Sequence, residues 1–478
     1  MESVSNNNSV LLINPPESNP GRSTNAPMGL MYIAGVLQEN NIPVRILDAF
    51  LDGWDSVLAK VREYRPGIVG IACPSYARMH AIKAAELIKR NFPDIIVILG
   101  GPHPNLMGYQ LLDNYPFIDM VGMGEGEYLM LDLCQGVDPE NILGLGFRRN
   151  GKIIINQLRP NIEDLDTLPF PAWNLVGPKR YGTGSNLVYN GIDLAKEMGA
   201  GISFSRGCIG RCNFCSNYLM WKKWKYRSPG KVADEIESLS RNYGIRCFQF
   251  NDDCFSGNKK ATIELCNEIM KRGLRIIFSI ITRADCVDED ILKSLKESGC
   301  YAVSFGIETA SPKCLKIMHK PINLEVSAKA IRLVNSFNMF SVALLIAGCV
   351  GEDRRTVNET IDFLNRTNPS VIEVANGLKL FPGTELYNLA KQQGVINDGF
   401  WLTDYNWKIY TKENSRLRLN IFTSAIQKRK KISENFFVNL LRYHNFVTKE
   451  IEYFFKSIFK KIGIDTAKKK KNKPKTAY

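Results

Sequence analysis

The stretch Gly201-Ile-Ser-Phe-Ser-Arg-Gly-Cys208-Ile-Gly-Arg-Cys212-Asn-Phe-Cys215-Ser216 places three cysteines at C-x-x-x-C-x-x-C spacing. The apolar run from Ile202 to Phe204 predicts a strand, and Arg206-Gly207 predicts a turn out of it. Three thiolates on one loop suit a 4Fe–4S cluster, which normally takes four cysteine ligands. One iron of such a cluster would then stay open to a ligand other than the protein.

Two other interpretations of these cysteines remain open. Structural zinc sites usually take four ligands from two separated pairs, but no second C-x-x-C follows and Cys247 stands alone. A buried group of structural cysteines would have apolar neighbours, whereas Arg, Asn and Gly lie between these thiols. The iron–sulfur interpretation is therefore favoured, with Cys208, Cys212 and Cys215 as the cluster ligands.

The three-cysteine spacing, with the aromatic residue Phe214 before the last cysteine, resembles the signature of the radical S-adenosylmethionine enzymes. The resemblance implies that S-adenosylmethionine chelates the open iron and that one electron cleaves it. The resulting 5′-deoxyadenosyl radical abstracts hydrogen from an unactivated carbon. Such an enzyme is expected to be oxygen-sensitive and to need an external electron donor of the flavodoxin or ferredoxin type.

The chain as a whole is compatible with a cytoplasmic enzyme. Its 478 residues allow two or three domains, and its 12 scattered cysteines fit a reducing compartment. The polar N-terminus lacks the features of a signal peptide, and no apolar run is long enough to span a bilayer. The net charge of +14 is concentrated at the end, since residues 425–478 carry 15 Lys or Arg and 4 Asp or Glu.

Residues 9–137 predict a doubly wound parallel sheet of α/β class, because nearly all-apolar strands alternate with helices. The expected strands are 9–13, 44–47, 68–72, 95–99 and 118–121, and the expected helices lie near 28–40, 55–63, 79–91, 105–113 and 126–135. Ligands of such sheets bind at the carboxyl ends of the strands. The loops there include Gly100-Gly101, which permits close approach of a bulky planar ligand, but no G-x-G-x-x-G follows the first strand.

This arrangement resembles the cobalamin-binding domain that precedes many radical S-adenosylmethionine enzymes. The resemblance implies cobalamin contacts at these strand ends: Asn14, Asp48, Gly53, Ser75, Gly100, Gly101, His103, Glu125 and Glu127. The related corrinoid motif has a histidine two residues after the aspartate, where this chain has Phe50. Cobalamin is therefore expected without a protein histidine at that position. A packing role for His103, and a sheet that holds no cofactor, remain alternatives.

A linker with three features follows. Residues 144–157 predict a hairpin around Asn150-Gly151, and Leu168-Pro-Phe-Pro-Ala-Trp173 predicts an extended crossing segment. Residues 177–200, rich in Gly and Asn, are expected to form a loop near the active site.

Strand–helix alternation then resumes, with strands expected at 201–205, 246–250, 275–281, 301–306, 341–347 and 371–377. These six units match the partial (β/α)6 barrel of the radical S-adenosylmethionine family, whose chemistry gathers at the carboxyl ends of its strands.

Polar residues at those strand ends are the candidate contacts for S-adenosylmethionine. The resemblance assigns Asp252 and Asp253 to its amino group and Arg283 to its carboxylate. It assigns Glu308 to the ribose hydroxyls or to that arginine. The full set that the resemblance implies is Phe214, Asp252, Asp253, Arg283, Glu308, Gly348 and Pro382. A helix N-cap for the aspartates and a solvated loop charge for Glu308 remain alternatives. Cys254, Cys286, Cys300 and Cys314 are interpreted as ordinary small residues.

The C-terminal region is aromatic at first and then basic. Trp401, Tyr405, Trp407 and Tyr410 are expected to cap the barrel or line the substrate entrance. Residues 436–462 predict a basic amphipathic helix, followed by a lysine-rich tail. Three roles are open for it: docking on the protein's own barrel, peripheral attachment to the inner face of the membrane through residues 425–478, and nucleic-acid binding, which is the least expected.

The domains expected are a cobalamin-binding domain at 9–140, a hairpin and linker at 141–198, a radical S-adenosylmethionine barrel at 199–390, and a helical basic extension at 391–478. The function expected is methylation of an unactivated carbon of a small-molecule or lipid-like substrate, with a 4Fe–4S cluster, S-adenosylmethionine and cobalamin as cofactors. Cyclisation or rearrangement without methyl transfer is one alternative. A non-catalytic corrinoid sensor is another.

Overall fold

The computed structural model describes residues 8–16, 25–406 and 408–410, all of which fall within one unit, Met1–Ile426. The predicted helix at 436–462, the basic tail and Trp407 lie outside the described residues. Within the described ranges, no helix combines the length and the apolar character that crossing a bilayer requires.

The first part of the chain builds a seven-stranded sheet. Its strands are β1 (Val10–Asn14), β2 (Val44–Asp48), β3 (Ile68–Ala72), β4 (Ile96–Gly100), β5 (Met120–Gly122), β6 (Leu145–Arg149) and β7 (Lys152–Ile155). Its helices are α1 (Met28–Glu39), α2 (Ala49–Asp52), α3 (Asp55–Tyr64), α4 (Arg78–Asn91), α5 (Pro104–Asn114) and α6 (Gly126–Cys134). The strand order is β2-β1-β3-β4-β5-β6-β7, with the first five strands parallel.

Both faces of this sheet are covered, as a doubly wound sheet requires. Val10 and Leu12 of β1 pack into one buried cluster, while Leu11 and Ile13 pack into another on the opposite face. Each of the five predicted strands and helices forms within about two residues of its expected bounds. The predicted fold class is confirmed for this half of the chain.

The predicted hairpin at 144–157 also forms, but it does more than link two domains. β6 pairs antiparallel with β5 and with β7, so the hairpin extends the first sheet by two strands. Asn150 and Gly151 both have positive φ, 52° and 73°, as a two-residue turn between twisted strands requires.

The second half of the chain contains a six-stranded parallel sheet and two short antiparallel pairs of strands. The strands are β8 (Val188–Tyr189), β9 (Ile192–Asp193), β10 (Gly199–Ile202), β11 (Ser205–Arg206), β12 (Lys225–Tyr226), β13 (Cys247–Phe250), β14 (Ile277–Thr282), β15 (Cys300–Glu308), β16 (Phe340–Ala347) and β17 (Val371–Asn376). The helices are α7 (Asn217–Met220), α8 (Pro229–Tyr243), α9 (Lys259–Lys271), α10 (Glu289–Glu297), α11 (Pro312–Ile317), α12 (Leu324–Ser336), α13 (Arg354–Thr367), α14 (Glu385–Gln392) and α15 (Phe400–Thr403).

The large sheet has the order β10-β13-β14-β15-β16-β17, so β10 and β17 are its edges and the predicted partial barrel is confirmed. Its helices bury one apolar stripe each against the outer face of the sheet. In α8 this stripe consists of Val232, Ile236 and Leu239, spaced three or four residues apart as a single helix face demands.

One expectation about a loop is wrong for part of that loop. The prediction that residues 177–200 lie near the active site fails for the β8–β9 hairpin, because Tyr189 and Leu194 pack with Cys247 and Tyr301, at the amino ends of β13 and β15. Active sites of such barrels lie at the other end. Tyr189 and Leu194 are buried, whereas Val188 and Ile192 are exposed, so Tyr189 and Leu194 close the bottom of the barrel.

Trp401, expected to cap the barrel or line the substrate entrance, is fully buried in an apolar cluster that combines residues of the first sheet with barrel residues such as Cys349 and Leu378. The guanidinium of Arg78, in α4, lies 4.6 Å from the ring centroid of Trp401 and donates a 3.0 Å hydrogen bond to its carbonyl oxygen. Tyr405 contacts His80 of the same helix. The segment after the barrel therefore returns to the first sheet.

Candidate active site

The three-cysteine loop leaves the carboxyl end of β10 and is closed at its base by a short ladder. Ser205 and Arg206 pair antiparallel with Tyr226 and Lys225. Gly207 follows with φ 91°, and a Cβ atom there would lie 2.8 Å from the carbonyl oxygen of Lys223. Glycine at this position thus lets the chain turn directly from the ladder into the cysteine segment.

The three cysteines share one sheltered environment. Cys212 is 9% exposed, and Cys208 and Cys215 are half-buried. The Gly210 amide donates to the sulfur of Cys208 at 3.3 Å. Burial raises the pKa of Cys215 to about 11, with further contributions from Cys212 and Cys208, so the three sulfurs lie close enough to influence one another. The thiols are therefore protonated until a metal displaces the protons.

Two cations lie beside this loop. A Cβ atom on Gly210 would be 2.9 Å from an Nη atom of Arg283, so this guanidinium touches the loop. Burial raises the pKa of Cys212, while the charges of Lys320 and Arg283 act in the opposite direction. Three thiols with two nearby cations fit an anionic iron–sulfur cluster. In the part of the chain that the structure describes, no three His, Cys, Asp or Glu side chains surround the position of a single metal ion.

Two further cysteines lie next to the predicted ligands. The sulfur of Cys254 is 4.0 Å from that of Cys286 and 3.8 Å from the hydroxyl of Thr282. A hydrogen bond with Cys254 is the largest cause of the raised pKa of Cys208. The sequence did not predict that these cysteines lie close together, because they follow separate strands and share no characteristic spacing.

The two predicted aspartates after β13 have different surroundings. Asp252 is 2% exposed and accepts hydrogen bonds from the amides of Phe204 and Ser205 and from the Ser205 hydroxyl, the last at 2.5 Å. Asp253 is accessible and accepts from the amide group of Asn217. Neither caps the next helix, because the side chain of Asn258 accepts from the Ala261 amide at the start of α9.

Arg283, after β14, and Glu308, at the end of β15, both form ion pairs. Arg283 forms a two-pronged pair with Asp285, at 2.9 and 2.6 Å. Glu308 accepts from Lys320 at 2.9 Å and has φ 60°, at a bulge between β15 and β16. Glu308 is thus held by a largely buried cation, which does not fit a freely solvated loop charge.

The remaining predicted contacts of the barrel lie at its rim. Gly348 has φ 101°, and its amide donates to the Glu352 carboxylate at 2.9 and 3.0 Å. Pro382 is buried, and a Cβ atom on the adjoining Gly383 would lie 3.3 Å from Leu219 of α7 and 3.4 Å from Leu106 of α5. Phe214 packs against the apolar cluster shared with the first sheet.

At the carboxyl ends of the first sheet, Asn14 and Asp48 form one hydrogen-bonded group. The Asn14 amide donates to Asp48 at 2.7 Å, and the Tyr181 hydroxyl donates to the other carboxylate oxygen at 2.8 Å. Tyr181 belongs to the linker and was not singled out by its sequence, since a tyrosine in a Gly-rich loop carries no positional signal.

The predicted glycines leave open space for a flat ligand. A Cβ atom on Gly53 or Gly100 would meet no atom within 4 Å, and Gly53 and Gly101 have positive φ. Ser75 and His103 instead face each other, with 3.2 Å between the hydroxyl and Nδ1. His103 is fully buried, and burial lowers its pKa to about 3, so its ring is neutral. Gly53 and Gly100 thus form an open glycine edge, without the Cβ atoms that would hinder the close approach of a corrin ring.

Glu125 and Glu127, predicted to contact cobalamin, both pair with Arg206, at 2.5 and 2.6 Å. Arg206 immediately precedes Gly207 and the first cysteine. The sequence predicted only a turn at Arg206. A charged residue directly after a buried strand is the one feature that could have indicated its role. Lys320 was also missed, because it follows α11 far from any motif.

Comparison with known proteins identifies both halves of this site. The model of the radical SAM superfamily matches residues 202–364, and that of the B12 binding domain matches residues 22–133. A relative named an uncharacterized methyltransferase, from Pyrococcus horikoshii, is 30% identical over 426 residues, 87% of this chain and 89% of its own length. The anaerobic magnesium-protoporphyrin IX monomethyl ester cyclase of Synechocystis sp. is 30% identical over 416 residues, 84% of this chain and 81% of its own length.

Among solved structures, the radical S-adenosylmethionine methyltransferase TsrM from Kitasatospora setae matches with a TM-score of 0.66 at 21% identity, over 81% of this chain and 76% of that chain. This likeness shows the shared fold. Together with the two domain matches and the relative from P. horikoshii, it shows that the chain belongs to the cobalamin-binding radical S-adenosylmethionine enzymes, whose cofactors are a 4Fe–4S cluster, S-adenosylmethionine and cobalamin.

Proposed function

We propose that this enzyme transfers a methyl group to an unactivated carbon of a small-molecule substrate. The observation that carries the proposal is the direct contact between the three-cysteine loop and the carboxyl end of the B12-type sheet, through Arg206 and the pair Glu125 and Glu127. A radical-forming loop and a methyl carrier that share one edge can act on one bound substrate. The relative from P. horikoshii, named a methyltransferase, agrees with this chemistry.

In this proposal Cys208, Cys212 and Cys215 hold the cluster, and the open glycine edge of the first sheet receives the corrin. When bound, the cluster supplies the electron that cleaves S-adenosylmethionine, and cobalamin supplies the methyl group. The chain's own residues fix the geometry. Asp252 anchors the start of the cysteine loop, and Asp253, accessible beside it, is the carboxylate available to a ligand ammonium group.

The other predicted contacts are proposed with the partners that the chain already gives them. Arg283 can receive a carboxylate only by sharing its guanidinium with Asp285, and Glu308 can receive a hydroxyl while Lys320 holds its other side. The domain bounds 9–140, 141–198, 199–390 and 391–478 belong to the same proposal. The proposal also includes an external electron donor that reduces the cluster.

The test uses the full chain, purified anaerobically and reconstituted with iron, sulfide and cobalamin. The variant with Cys208, Cys212 and Cys215 all changed to Ala is expected to lose the iron–sulfur absorbance and all 5′-deoxyadenosine formation under reduction. The control is Cys134→Ala, which removes a buried thiol from the end of helix α6 and should retain both signals. A wild-type protein that carries a full cluster but forms no 5′-deoxyadenosine would contradict the proposal.

Cyclisation without methyl transfer is the second candidate, supported by the cyclase of Synechocystis sp.. The two reactions differ in what becomes of S-adenosylmethionine before any organic substrate is added. A methylase with reduced cobalamin bound should form S-adenosylhomocysteine in an amount up to that of the cobalamin. Formation of 5′-deoxyadenosine with no S-adenosylhomocysteine would favour cyclisation. The measurement is quantitative mass spectrometry of both products.

A further inference from the structure

Arg206 is the residue through which the cysteine loop meets the first sheet. Its two Nη atoms bind different carboxylates, Glu125 at 2.5 Å and Glu127 at 2.6 Å. All three side chains are largely buried, at 14%, 3% and 5% exposure. Arg206 lies two residues before the first cysteine, and the two glutamates flank the start of α6, directly after β5.

The guanidinium is fixed on its other sides as well. The ring of Tyr32, from α1, lies 5.1 Å from it, and the ring of Trp221, from the cysteine loop, lies 5.5 Å away. Glu125 is held by the Ile162 amide, which donates to its second oxygen at 2.5 Å. Both sheets and the linker therefore meet at one planar cation.

The bridge joins two places where ligands are expected. Ligands of a doubly wound sheet bind beyond the carboxyl ends of its strands, which is where the loop 123–127 lies. A ligand that orders this loop fixes the carboxylates, and the carboxylates fix Arg206. Arg206 is paired with Lys225 in the β11–β12 ladder, and only Gly207 separates it from Cys208. A displacement of Arg206 is thus passed on to Cys208.

We propose that Arg206 is a positioning residue that couples cobalamin occupancy of the first sheet to the affinity of the cysteine loop for S-adenosylmethionine. The proposal rests on the cofactor sites given under the proposed function. Coupling between two binding sites is reciprocal, so S-adenosylmethionine must tighten cobalamin by the same factor. The effect requires no contact between Arg206 and either ligand.

The experiment measures binding and not turnover. The full chain is reconstituted with its cluster, and S-adenosylmethionine is titrated anaerobically with and without saturating hydroxocobalamin. In the wild type, cobalamin should lower the dissociation constant of S-adenosylmethionine at least about fivefold, the lower end of ordinary coupling between sites. In Glu127→Gln, which removes one carboxylate from the fork, that ratio should fall toward one in protein whose cobalamin content equals that of the wild type.

The matched control is Glu163→Gln, at an exposed residue whose ion-pair partner is Lys225 of the same β11–β12 ladder. It should keep the wild-type ratio. Equal affinities in the wild type with and without cobalamin would overturn the coupling alone. A folded Glu127→Gln variant with the wild-type ratio would also overturn it.

Arg206→Lys provides a second test if Glu127→Gln does not fold, because lysine keeps the charge but cannot grip two carboxylates. The same loss of coupling is expected, and retention of the ratio overturns the proposal. Cobalamin and iron contents are measured first. A wild-type chain that binds no cobalamin would contradict the proposed function and the coupling together.

Discussion

Asp252 has a different role in the fold from the cofactor contact that its place in the sequence predicted. Its position after β13 predicted a contact with S-adenosylmethionine. In the structure its carboxyl group is 2% exposed and bonded to Phe204 and Ser205, so it closes the turn between β10 and the cysteine loop. Burial raises its pKa to about 7, against the opposing effect of these hydrogen bonds.

This pKa predicts a specific dependence of stability on pH. Between about pH 4 and pH 7 the folded protein keeps a proton on Asp252 that the unfolded chain has released, so stability falls as the pH rises through this window, by on the order of 3 kcal/mol. In Asp252→Asn this contribution disappears. Urea unfolding of the cluster-free chain at pH 5 and pH 8 should show a smaller difference for the variant than for the wild type. Asp290→Asn, at an exposed position, should leave the difference unchanged.

Lys320 and Glu308 make a second prediction at the residue scale, because both charges act on Cys212 with opposite sign. Removing a cation near an iron–sulfur cluster disfavours the added electron, and removing an anion favours it. Lys320→Met should shift the reduction potential to more negative values and Glu308→Gln to more positive ones, each by roughly tens of millivolts. Redox titration followed by electron paramagnetic resonance measures both. Lys313→Met, at an exposed ion pair, is the control. Shifts of the same sign would contradict the prediction.

Residue types at the site could be predicted from the sequence, but their partners could not. The three cysteines and the aspartates follow from local spacing and from strand ends. Arg206, Tyr181 and Lys320 gain their importance from groups between 12 and 133 residues away in the chain. No local pattern encodes such pairs.

At the scale of elements, Gly299 turns the chain from α10 into β15 with φ 106°, and a Cβ atom there would overlap the carbonyl oxygen of Ile276. Gly299→Ala should lower the free energy of unfolding by about 3 kcal/mol, because it adds backbone strain and displaces the start of β14. The control is Gly273→Ala, where φ is 63° and no atom lies within 4 Å; its expected cost is about 1–2 kcal/mol. Chemical denaturation of the two variants measures the difference. Equal losses would show that crowding at Ile276 contributes nothing.

Strands and helices were predictable because hydrophobic periodicity is a local property, and every strand of the two parallel sheets forms near its expected position. The β6–β7 hairpin was also predicted from Asn150-Gly151. Its pairing with β5 was not, since an antiparallel addition at a sheet edge leaves no mark on the strand itself. The same limit applies to the β8–β9 hairpin, whose residues gave no sign that they close the bottom of the barrel.

The two halves of the described chain are held together by a shared core as well as by the Arg206 bridge. Leu380, Leu386 and Trp401, which follow the last barrel strand, belong to the same buried cluster as Val69 and Leu99 of the first sheet. On the other side, Arg227 binds Glu235 of α8 at 2.6 Å and the hydroxyl of Tyr32 of α1 at 3.2 Å. The relation of the two halves thus depends on contacts over long sequence separations, which explains why domain composition was predictable and domain packing was not.

Arg227 allows a test of this packing. Both partners of its ion pair are nearly fully buried, at 4% and 1% exposure. Arg227→Met leaves Glu235 as an unpaired buried charge and should cost about 3–5 kcal/mol of stability. Adding Glu235→Gln removes that charge and keeps an acceptor for the indole of Trp173, so the double variant should be more stable than the single one by at least about 1 kcal/mol. Calorimetry of the cluster-free chain measures the stability of both variants.

The control is Arg241→Ala, which breaks a pair between the exposed Arg241 and Glu237 and should change stability by less than about 0.5 kcal/mol. A double variant no more stable than Arg227→Met would mean that the lost contacts to α1, and not the stranded charge of Glu235, dominate the cost, because only those contacts are missing from both variants.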